Sequence, residues 1–450
     1  MDPELRTIPL DVSVASESLT PAKARSPWYA WYVLAVLTVV YSFSVIDRNF
    51  LSLLQEPIRK ELGLSDTQLG TLTGLAFALF YATLAIPLAR LADRSNRKVI
   101  VGLAIGLWSV MTGVCGLSRS FLGLALARVG VGVGEAGGYP SAASILSDYF
   151  ARDRRATALA IFGIGPPIGS MLGLFIGGWL NDAVGWRMAF VVVAAAGFLV
   201  SPIVLFTVRE PKKGASEADR GAVDSAVGAN TWAVVRVLWR LKAFRYLLVA
   251  NILHCFVSYA YNAWTPPFYG RVYHIATGKL GLYLGLLAGA GALGTYVGGH
   301  FADRFGRRDA RWYVWVLGLA SALAIPAAAL QFMVGDARAS LIAAALPSFL
   351  LLVWVGPTIA VGQSLASPHM RATTAAITLA AVNIFGLALG PFLVGVLSDY
   401  LRSGWRLGPD SIRFALLAAF VLEGAAALFY FLSGRHLERD LNRDRTQDFA

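Results

Sequence analysis

The sequence has little charge and almost no cysteine. Only 15% of its 450 residues are charged and two are cysteine, whereas 56% are hydrophobic and the mean hydropathy is +0.60. A soluble core of this size could not hide so much apolar surface, so the composition excludes an ordinary soluble protein and predicts that lipid is the solvent. Cys115 and Cys255 both lie inside apolar segments, which argues against a disulfide framework and against a metal site.

Sequence signatures of catalysis and nucleotide binding are also missing. The chain has no Walker motif, no metal-ligand cluster and no nucleophile elbow, which argues against an enzyme and against an ATP-driven pump. We therefore expect no cofactor and no bound metal. The net charge of +12 does not indicate a nucleic-acid partner, because the basic residues lie in short loops beside hydrophobic runs and set membrane topology there.

Twelve apolar runs are long enough, at about 20 residues each, to cross the roughly 30 Å hydrocarbon core of a bilayer. We number them spans 1 to 12. The sequence thus predicts an all-α membrane protein with six spans in residues 27–208, six in residues 244–434 and a linker at 209–243. A capping box from Ser65 to Gln68 predicts where span 2 begins.

The distribution of basic residues predicts the orientation of the chain. Most lysines and arginines lie in the two tails and in the loops that follow even-numbered spans, so both termini are predicted to be cytoplasmic. Residues 1–26 lack the apolar core of a signal peptide and are interpreted as a disordered cytoplasmic tail. Residues 435–450 form the second predicted tail. The second part of the linker interleaves apolar and basic residues, which predicts an interfacial amphipathic helix.

The two halves of the chain repeat the same charged loop, 210 residues apart. Residues 89–98 read ARLADRSNRK, and residues 299–308 read GHFADRFGRR. A second repeat, at a constant offset of 217 residues, links span 5 to span 11. Its pairs are Gly169 and Gly386, Gly173 and Gly390, Gly178 and Gly395, Leu180 and Leu397, and Asp182 and Asp399. Because charges repeat as well as glycines, the pattern indicates a duplicated helical bundle, the arrangement that supports alternating access in secondary transporters.

These motifs resemble those of the major facilitator superfamily, whose loop between spans 2 and 3 reads G-x-x-x-D-R-x-G-R-R/K. Residues 299–308 match at every position, and residues 89–98 depart from it at Ala89 and Asn96. Within the superfamily, the chain is similar to the Spinster branch. The stretches that carry this similarity are Asp47-Arg48 in span 1, Asp93 to Lys98 after span 2, Arg128 to Ala136 in span 4, and Val208 to Pro211 after span 6.

The resemblance implies the major facilitator fold, with two pseudo-symmetric six-helix bundles. It also implies export of phosphorylated sphingoid lipids or lysophospholipids. A Glu-Ala-x-x-x-Pro stretch from Glu135 to Pro140 occurs in organic-anion symporters of the same superfamily as well, so a symporter of small organic anions is an alternative. A non-transporting receptor or scaffold is a second alternative, against which the repeated loops and the intramembrane charges count.

Four ionisable residues lie within spans 1 and 4, where an unpaired charge is costly. Asp47 and Arg128 lie at similar predicted depths and could pair. Arg128, Glu135 and Tyr139 share one face of span 4, since their spacing is helical. Burial favours the neutral form of a carboxylate and a neighbouring arginine favours the charged form, so Asp47 and Glu135 are predicted to exchange the coupling proton.

The cargo is predicted to meet arginines and tyrosines. Arg48 and Arg128 are expected to bind its anionic part, because planar guanidinium groups match phosphate and carboxylate geometry. Tyr139 on span 4 and Tyr259 and Tyr261 on span 7 are expected to line the cavity. For the other aromatic residues of span 7, an interfacial belt is an equally good interpretation.

Two further ionisable residues lie in the C-terminal half. Glu423 in span 12 has no obvious partner in the sequence and is interpreted as structural or interfacial. His254 in span 7 could move protons, but it lies among aromatic residues and is interpreted as a hydrogen-bonded packing residue.

The repeated charged loops are predicted to gate the cytoplasmic end. By resemblance, their aspartates and arginines would latch the inner ends of helices, with Asp148 as a partner of Arg97, and we expect such a network to bias two states a few kcal/mol apart. Topology signalling alone would leave the aspartates unexplained. The predicted gate residues are Asp93, Arg94, Arg97, Asp148, Asp303, Arg304 and Arg307.

The sequence therefore predicts a secondary transporter of the Spinster type, driven by a proton gradient. Its predicted partners are protons, the bilayer, and an anionic cargo that is lipid-like or a small organic anion, with a lysophospholipid or a sphingoid phosphate favoured. We expect a monomer in the bacterial inner membrane.

Overall fold

The computed structural model describes residues 27–211, 231–367 and 370–443. Every regular element in these ranges is helical. The predicted tail at 1–26, the linker from 212 to 230 and residues 444–450 lie outside the described residues.

Eleven described helical stretches are long and apolar enough to cross a membrane. The longest, Arg154–Thr207, contains two spans, because the backbone turns at Gly185, where φ is 79°. Glycine tolerates this positive φ without steric cost. The predicted all-α fold with twelve spans is thus confirmed.

The N-terminal half contains spans 1 to 6. Several of them are interrupted, and span 2 includes a π-helical turn, Thr71–Leu75. The helices are Pro27–Leu62 (span 1), Asp66–Gly70 and Ala76–Arg94 (span 2), Arg97–Leu117 (span 3), Phe121–Glu135 and Gly138–Tyr149 (span 4), and Arg152–Phe162 and Gly165–Thr207 (spans 5 and 6, divided at Gly185).

The C-terminal half contains spans 7 to 12 and is preceded by a linker helix, Thr231–Arg240. Span 10 is broken twice, and span 11 includes a π-helical turn, Val382–Ala388. The helices are Lys242–Val272 (span 7), Thr277–Gly306 (span 8), Trp312–Met333 (span 9), Ala337–Ala343, Ala345–Leu350 and Val355–Leu365 (span 10), Arg371–Ala381 and Leu389–Gly404 (span 11), and Ser411–Leu441 (span 12).

At the junction of spans 7 and 12, both helices extend beyond the predicted apolar runs, by two residues in span 7 and by seven in span 12. Span 7 begins at Lys242 rather than at 244, and span 12 continues to Leu441 rather than ending near 434. The reason is a contact that hydropathy does not report: the Asp440 carboxylate accepts a hydrogen bond of 2.8 Å from the backbone N–H of Ala243. A carboxylate at this position satisfies a free N–H of the first turn of span 7.

The repeated glycines have the same structural role in both halves. A Cβ atom at Gly169 or Gly173 of span 5 would meet the backbone of span 1, and one at Gly386 or Gly390 of span 11 would meet the backbone of span 7. Close helix approach through small residues is how helices associate in lipid. The glycine repeat therefore reflects the same close helix packing in each half.

Span 4 also approaches span 2 closely, and this contact positions the charged residues of span 4. A Cβ atom at Gly132 would lie 2.5 Å from the carbonyl oxygen of Phe77. The capping box predicted at the start of span 2 is confirmed, since Ser65 and Gln68 exchange both of its hydrogen bonds.

We predict that Gly132→Ala lowers the midpoint of thermal unfolding in detergent, because the added methyl group overpacks the contact with Phe77 at a cost of about 1–3 kcal/mol. Gly289→Ala is the matched control, since nothing lies within 4 Å of its Cβ position and alanine favours helix. Equal losses of stability in the two variants would contradict the close approach of spans 2 and 4.

Candidate functional site

An ion pair between spans 1 and 4 forms the centre of the site. The Arg48 guanidinium donates two hydrogen bonds to Oε2 of Glu135, of 2.6 Å from Nη2 and 3.0 Å from Nε. The Glu135 side chain is 1% exposed and the Arg48 side chain 28%. Oε1 of Glu135 has no hydrogen-bond partner among the described residues. The carboxylate is thus buried, charge-paired on one oxygen and able to bind a proton on the other.

The predicted pair of Asp47 and Arg128 is not present. The Asp47 carboxylate accepts a hydrogen bond of 3.1 Å from the Thr112 hydroxyl, and its Oδ1 has no described partner. Arg128 is buried and donates from Nε to the carbonyl oxygen of Leu72 at 3.4 Å. Similar depth on two helices did not bring the groups together, because depth does not fix the direction in which a side chain points.

The two arginines that are expected to bind one anion together both contact the same aromatic ring. The guanidinium carbons of Arg48 and Arg128 lie 4.8 and 5.1 Å from the centre of the Phe77 ring. Arg48 also lies 4.8 Å from the ring centre of Tyr81. Cation–π contacts of this length are favourable, more so away from water. In this conformation Arg48 is the arginine that reaches the cavity.

A small cavity, with about 20 Å³ of space for the centres of water molecules, lies beside the ion pair. Arg48, Glu135 and Tyr139 line it, as predicted for a site between spans 1 and 4. The Tyr139 ring lies 5.1 Å from Tyr41 and 5.8 Å from Phe162. One cation and one carboxylate are therefore surrounded by aromatic surface.

The two tyrosines of span 7 have different positions. Tyr259 is half-buried and packs against a hydrophobic cluster that contains residues of both halves. Tyr261 lies away from the cavity, and its hydroxyl donates to Gln331 at 3.0 Å within the C-terminal half. A cargo-binding role for Tyr261 disagrees with this position. Of the other aromatic residues of span 7, Trp264 and Phe268 are buried, so they do not form a lipid-facing belt.

The arginine of the first repeated loop lies in a buried network. Arg97 is 3% exposed and pairs with Asp148 at 2.6 Å, the predicted partner, and with Glu210 at 2.7 Å. Glu210 also accepts the backbone N–H of Lys98 at 2.9 Å and so caps the start of span 3. This network joins spans 3, 4 and 6 of one half. The Val208 to Pro211 motif supplied a partner that was not predicted from spacing.

The remaining gate residues whose side chains the structure describes are exposed. Asp303, Arg304 and Arg307 are exposed at the end of span 8, and Arg94 is exposed at the end of span 2. Asp93 lies in the helix of span 2, and its side chain falls outside the described residues. We call the end of the bundle that carries these loops the basic end.

The opposite end carries a buried charge network that the sequence did not reveal. Arg271 of span 7 donates to Glu56 of span 1 at 2.6 Å and to Asp66 of span 2 at 2.9 Å. Arg402 of span 11 donates to Asp66 at 2.8 Å. We call Glu56, Asp66, Arg271, Asp399 and Arg402 the latch network, and this end the latch end. Since its members come from both halves, the network holds the halves together.

The repeated aspartates complete the latch end. Asp399 accepts hydrogen bonds from the backbone N–H groups of Asp66 and Thr67, at 3.0 and 2.7 Å. Asp182, 217 residues earlier, accepts the backbone N–H of Gly278 at 3.1 Å. Each carboxylate therefore lies at the start of a helix in the opposite half, where free N–H groups and the helix dipole favour negative charge.

Comparison with known proteins agrees with this architecture. The family model of the Major Facilitator Superfamily matches residues 37–391, which is more than half of the chain. The chain belongs to the major facilitator superfamily. It is 34% identical, over 93% of its length and 96% of the relative's, to an MFS-type efflux pump of Mycolicibacterium smegmatis.

Within the superfamily, the chain belongs to the Spinster branch. It is 28% identical to protein spinster homolog 1 of Homo sapiens, over 92% of this chain and 82% of that protein. The fold matches a bacterial homologue of the human lysosomal transporter Spinster, crystallised in an inward-facing, unoccupied conformation, with a TM-score of 0.84 and 31% identity over 92% of this chain and 99% of that one. The predicted family, branch and fold are confirmed, and the protein is a multi-pass membrane transporter of this family.

We predict that Asp66→Asn and Arg271→Gln open the latch end, because removing one partner of a buried charge pair costs about 3–5 kcal/mol. Labelling of single cysteines at the latch ends of spans 2 and 11 should accelerate at least about tenfold.

The matched control for these variants is Glu61→Gln. Glu61 accepts a hydrogen bond of 2.8 Å from Arg187 at the same end, but both residues belong to the N-terminal half. Its replacement should leave the labelling rates unchanged. If all three variants were labelled at the wild-type rate, the latch network would not hold the halves together.

Proposed function

We propose that this transporter is a proton-linked carrier of an anionic amphiphile, either a lysophospholipid or a sphingoid phosphate, that works by alternating access. The observation that carries the proposal is the pair of Arg48 and Glu135 beside a cavity with aromatic walls. A guanidinium suits the anionic head of such a cargo, and aromatic surface suits its apolar part.

The ion pair supplies a physical link between proton and cargo. While Glu135 is ionised it occupies Arg48 with two hydrogen bonds. Protonation of Glu135 weakens this charge-assisted contact and frees the guanidinium for the cargo. An arriving anion would in turn displace Glu135, and a buried carboxylate without its counterion takes up a proton. Asp47, with a free oxygen nearby, is proposed as the second proton carrier.

We propose that the structure represents the inward-facing state of the transporter. The latch network joins the halves at one end, and the cavity beside Arg48 is lined by residues between the ion pair and the basic end. The positive charge of the loops at the basic end favours a cytoplasmic location. In the opposite state, the latch network would separate, and Asp93 and Asp303 are proposed to hold the basic end closed.

The setting of the protein is a further part of the proposal, supported by the pattern of basic loops and by the bacterial relative. Both termini are cytoplasmic, the membrane is the bacterial inner membrane, and the transporter works as a monomer without a bound cofactor. The proton gradient supplies the driving force. A small organic anion is the alternative cargo, since Arg48 would also bind a free carboxylate.

We predict that Glu135→Gln abolishes the response of transport to an imposed pH gradient in proteoliposomes, because glutamine keeps the shape of the side chain but cannot exchange a proton. Arg48→Lys should raise the half-saturating lysophospholipid concentration about tenfold, since it loses the planar two-donor contact.

Glu438→Gln serves as the control, because Glu438 is exposed and its 3.5 Å pair with Arg311 lies at the surface. It should transport like the wild type. Small organic acids are assayed beside lysophospholipid in the same vesicles. Preference for the acids would assign the alternative cargo, and a full pH response in Glu135→Gln would remove the proton linkage from this site.

A further inference from the structure

The core of the C-terminal half contains a second pair of ionisable side chains, far from the latch network and outside the lining of the cavity. His254 of span 7 is 2% exposed and Glu423 of span 12 is 0% exposed. Nδ1 of His254 lies 3.1 Å from Oε2 of Glu423. Both were interpreted from the sequence as structural residues, and Glu423 was without a partner.

The second ring nitrogen of His254 fixes where one hydrogen must lie. Nε2 is 3.1 Å from the backbone carbonyl oxygen of Leu351. A carbonyl oxygen only accepts hydrogen bonds, so Nε2 carries a hydrogen. The geometry of this contact therefore places a hydrogen on Nε2.

The contact between the two side chains then requires a second hydrogen. Two lone pairs facing each other at 3.1 Å would repel, so one proton lies between Nδ1 of His254 and Oε2 of Glu423. The pair is either an imidazolium with a carboxylate or a neutral imidazole with a carboxylic acid. In both forms it has no net charge, which is the least costly state for a buried site.

The carbonyl group that receives Nε2–H lies at a break in span 10. Leu351 follows the helix Ala345–Leu350, and the next helix begins at Val355. The neighbouring carbonyl of Leu352 accepts a hydrogen bond of 3.1 Å from the hydroxyl of Thr295 in span 8. Backbone carbonyls freed by a break must find donors inside the protein when the helix lies in a membrane. His254 and Thr295 provide them.

We propose that His254 and Glu423 form a proton-binding site in the C-terminal half, whose shared proton holds the break in span 10. If this proton leaves, the imidazole keeps one hydrogen and can donate either to Leu351 or to Glu423, but not to both. The ionised carboxylate is the stronger acceptor, so the hydrogen stays with Glu423 and loss of the proton releases the Leu351 carbonyl of span 10. The proposal does not depend on the proton linkage proposed for Glu135.

The surroundings of the pair contain few other ionisable groups. Cys255 on span 7 and Tyr430 on span 12 are the titratable neighbours, and the ring centres of Tyr430 and His254 are 6.4 Å apart. Span 9 contributes the hydroxyl of Ser321, 3.4 Å from Nδ1. Among the described contacts of the pair there is no lysine, arginine or further carboxylate. A proton exchanged here therefore changes the net charge of this core directly.

The protonation state can be measured by nuclear magnetic resonance of the full-length protein in nanodiscs, with nitrogen-15 in its histidines. The signals of His254 are those lost in His254→Gln. Between about pH 5 and about pH 9, we expect Nε2 to carry a hydrogen at the low end and to lose it in one step, while Nδ1 keeps the hydrogen that it shares with Glu423. Glu423→Gln keeps the shape of the site but cannot take the proton, so the step should move or disappear.

His300→Gln is the control, since His300 is exposed on span 8, and it should leave the step unchanged. The same titration in Glu135→Gln should retain the step, which separates this site from the one beside the cavity. An Nε2 without hydrogen at the low end of the range, or His254 signals that do not change across the range, would overturn the proposal.

The link to span 10 is tested by hydrogen exchange of the backbone around residues 351–355, corrected for the intrinsic effect of pH. In the wild type, loss of the hydrogen bond from His254 to Leu351 should accelerate backbone hydrogen exchange about tenfold at the high end of the pH range. Thr295→Val removes the donor to Leu352 and should accelerate exchange equally at both ends. An equal rate at both ends in the wild type would overturn the role of the proton at the break.

Discussion

A charge inside a membrane must be paired, and this requirement organises the whole structure. Ion pairs occur at three levels among the described residues: Arg48 with Glu135 near the middle, Arg271 with Asp66 at the latch end, and Arg97 with carboxylates of its own half at the basic end. Since an unpaired buried charge costs several kcal/mol, each pair can separate only when a helix movement or a proton compensates. Conformation and protonation are therefore linked by electrostatics.

Duplication explains how the two halves meet. The glycines of spans 5 and 11 bring each span against the first helix of its own half, and the aspartates that follow reach the start of a helix in the other half. The symmetry is incomplete in its charges. Asp399 lies beside Asp66, which forms ion pairs with both Arg271 and Arg402. Asp182, in contrast, accepts a single backbone N–H, from Gly278. The side of the latch formed by spans 2 and 11 therefore contains most of its charge.

Composition and repeats predicted the fold well, because twelve apolar runs and a duplicated loop leave few other arrangements. The sequence also singled out the ionisable residues of spans 1 and 4, since an intramembrane charge is visible in the sequence, and their roles stay predictions. Their pairing was not, because Arg48 and Glu135 are 87 residues apart and the direction of each side chain depends on packing. The latch network was missed because Glu56, Asp66 and Arg271 lie near span ends, where charge is common and uninformative.

Competition between Glu135 and an anionic cargo for Arg48 is the central claim, and counting protons tests it most directly. Lysophospholipid is added to the detergent-solubilised transporter in a weakly buffered solution, and the change in pH is recorded together with the amount of cargo bound. Wild-type protein should take up protons on binding, approaching about one per cargo, because the displaced carboxylate loses its counterion. Glu135→Gln should take up fewer. Cargo binding without proton uptake by the wild type, or equal uptake by both proteins, would contradict the claim.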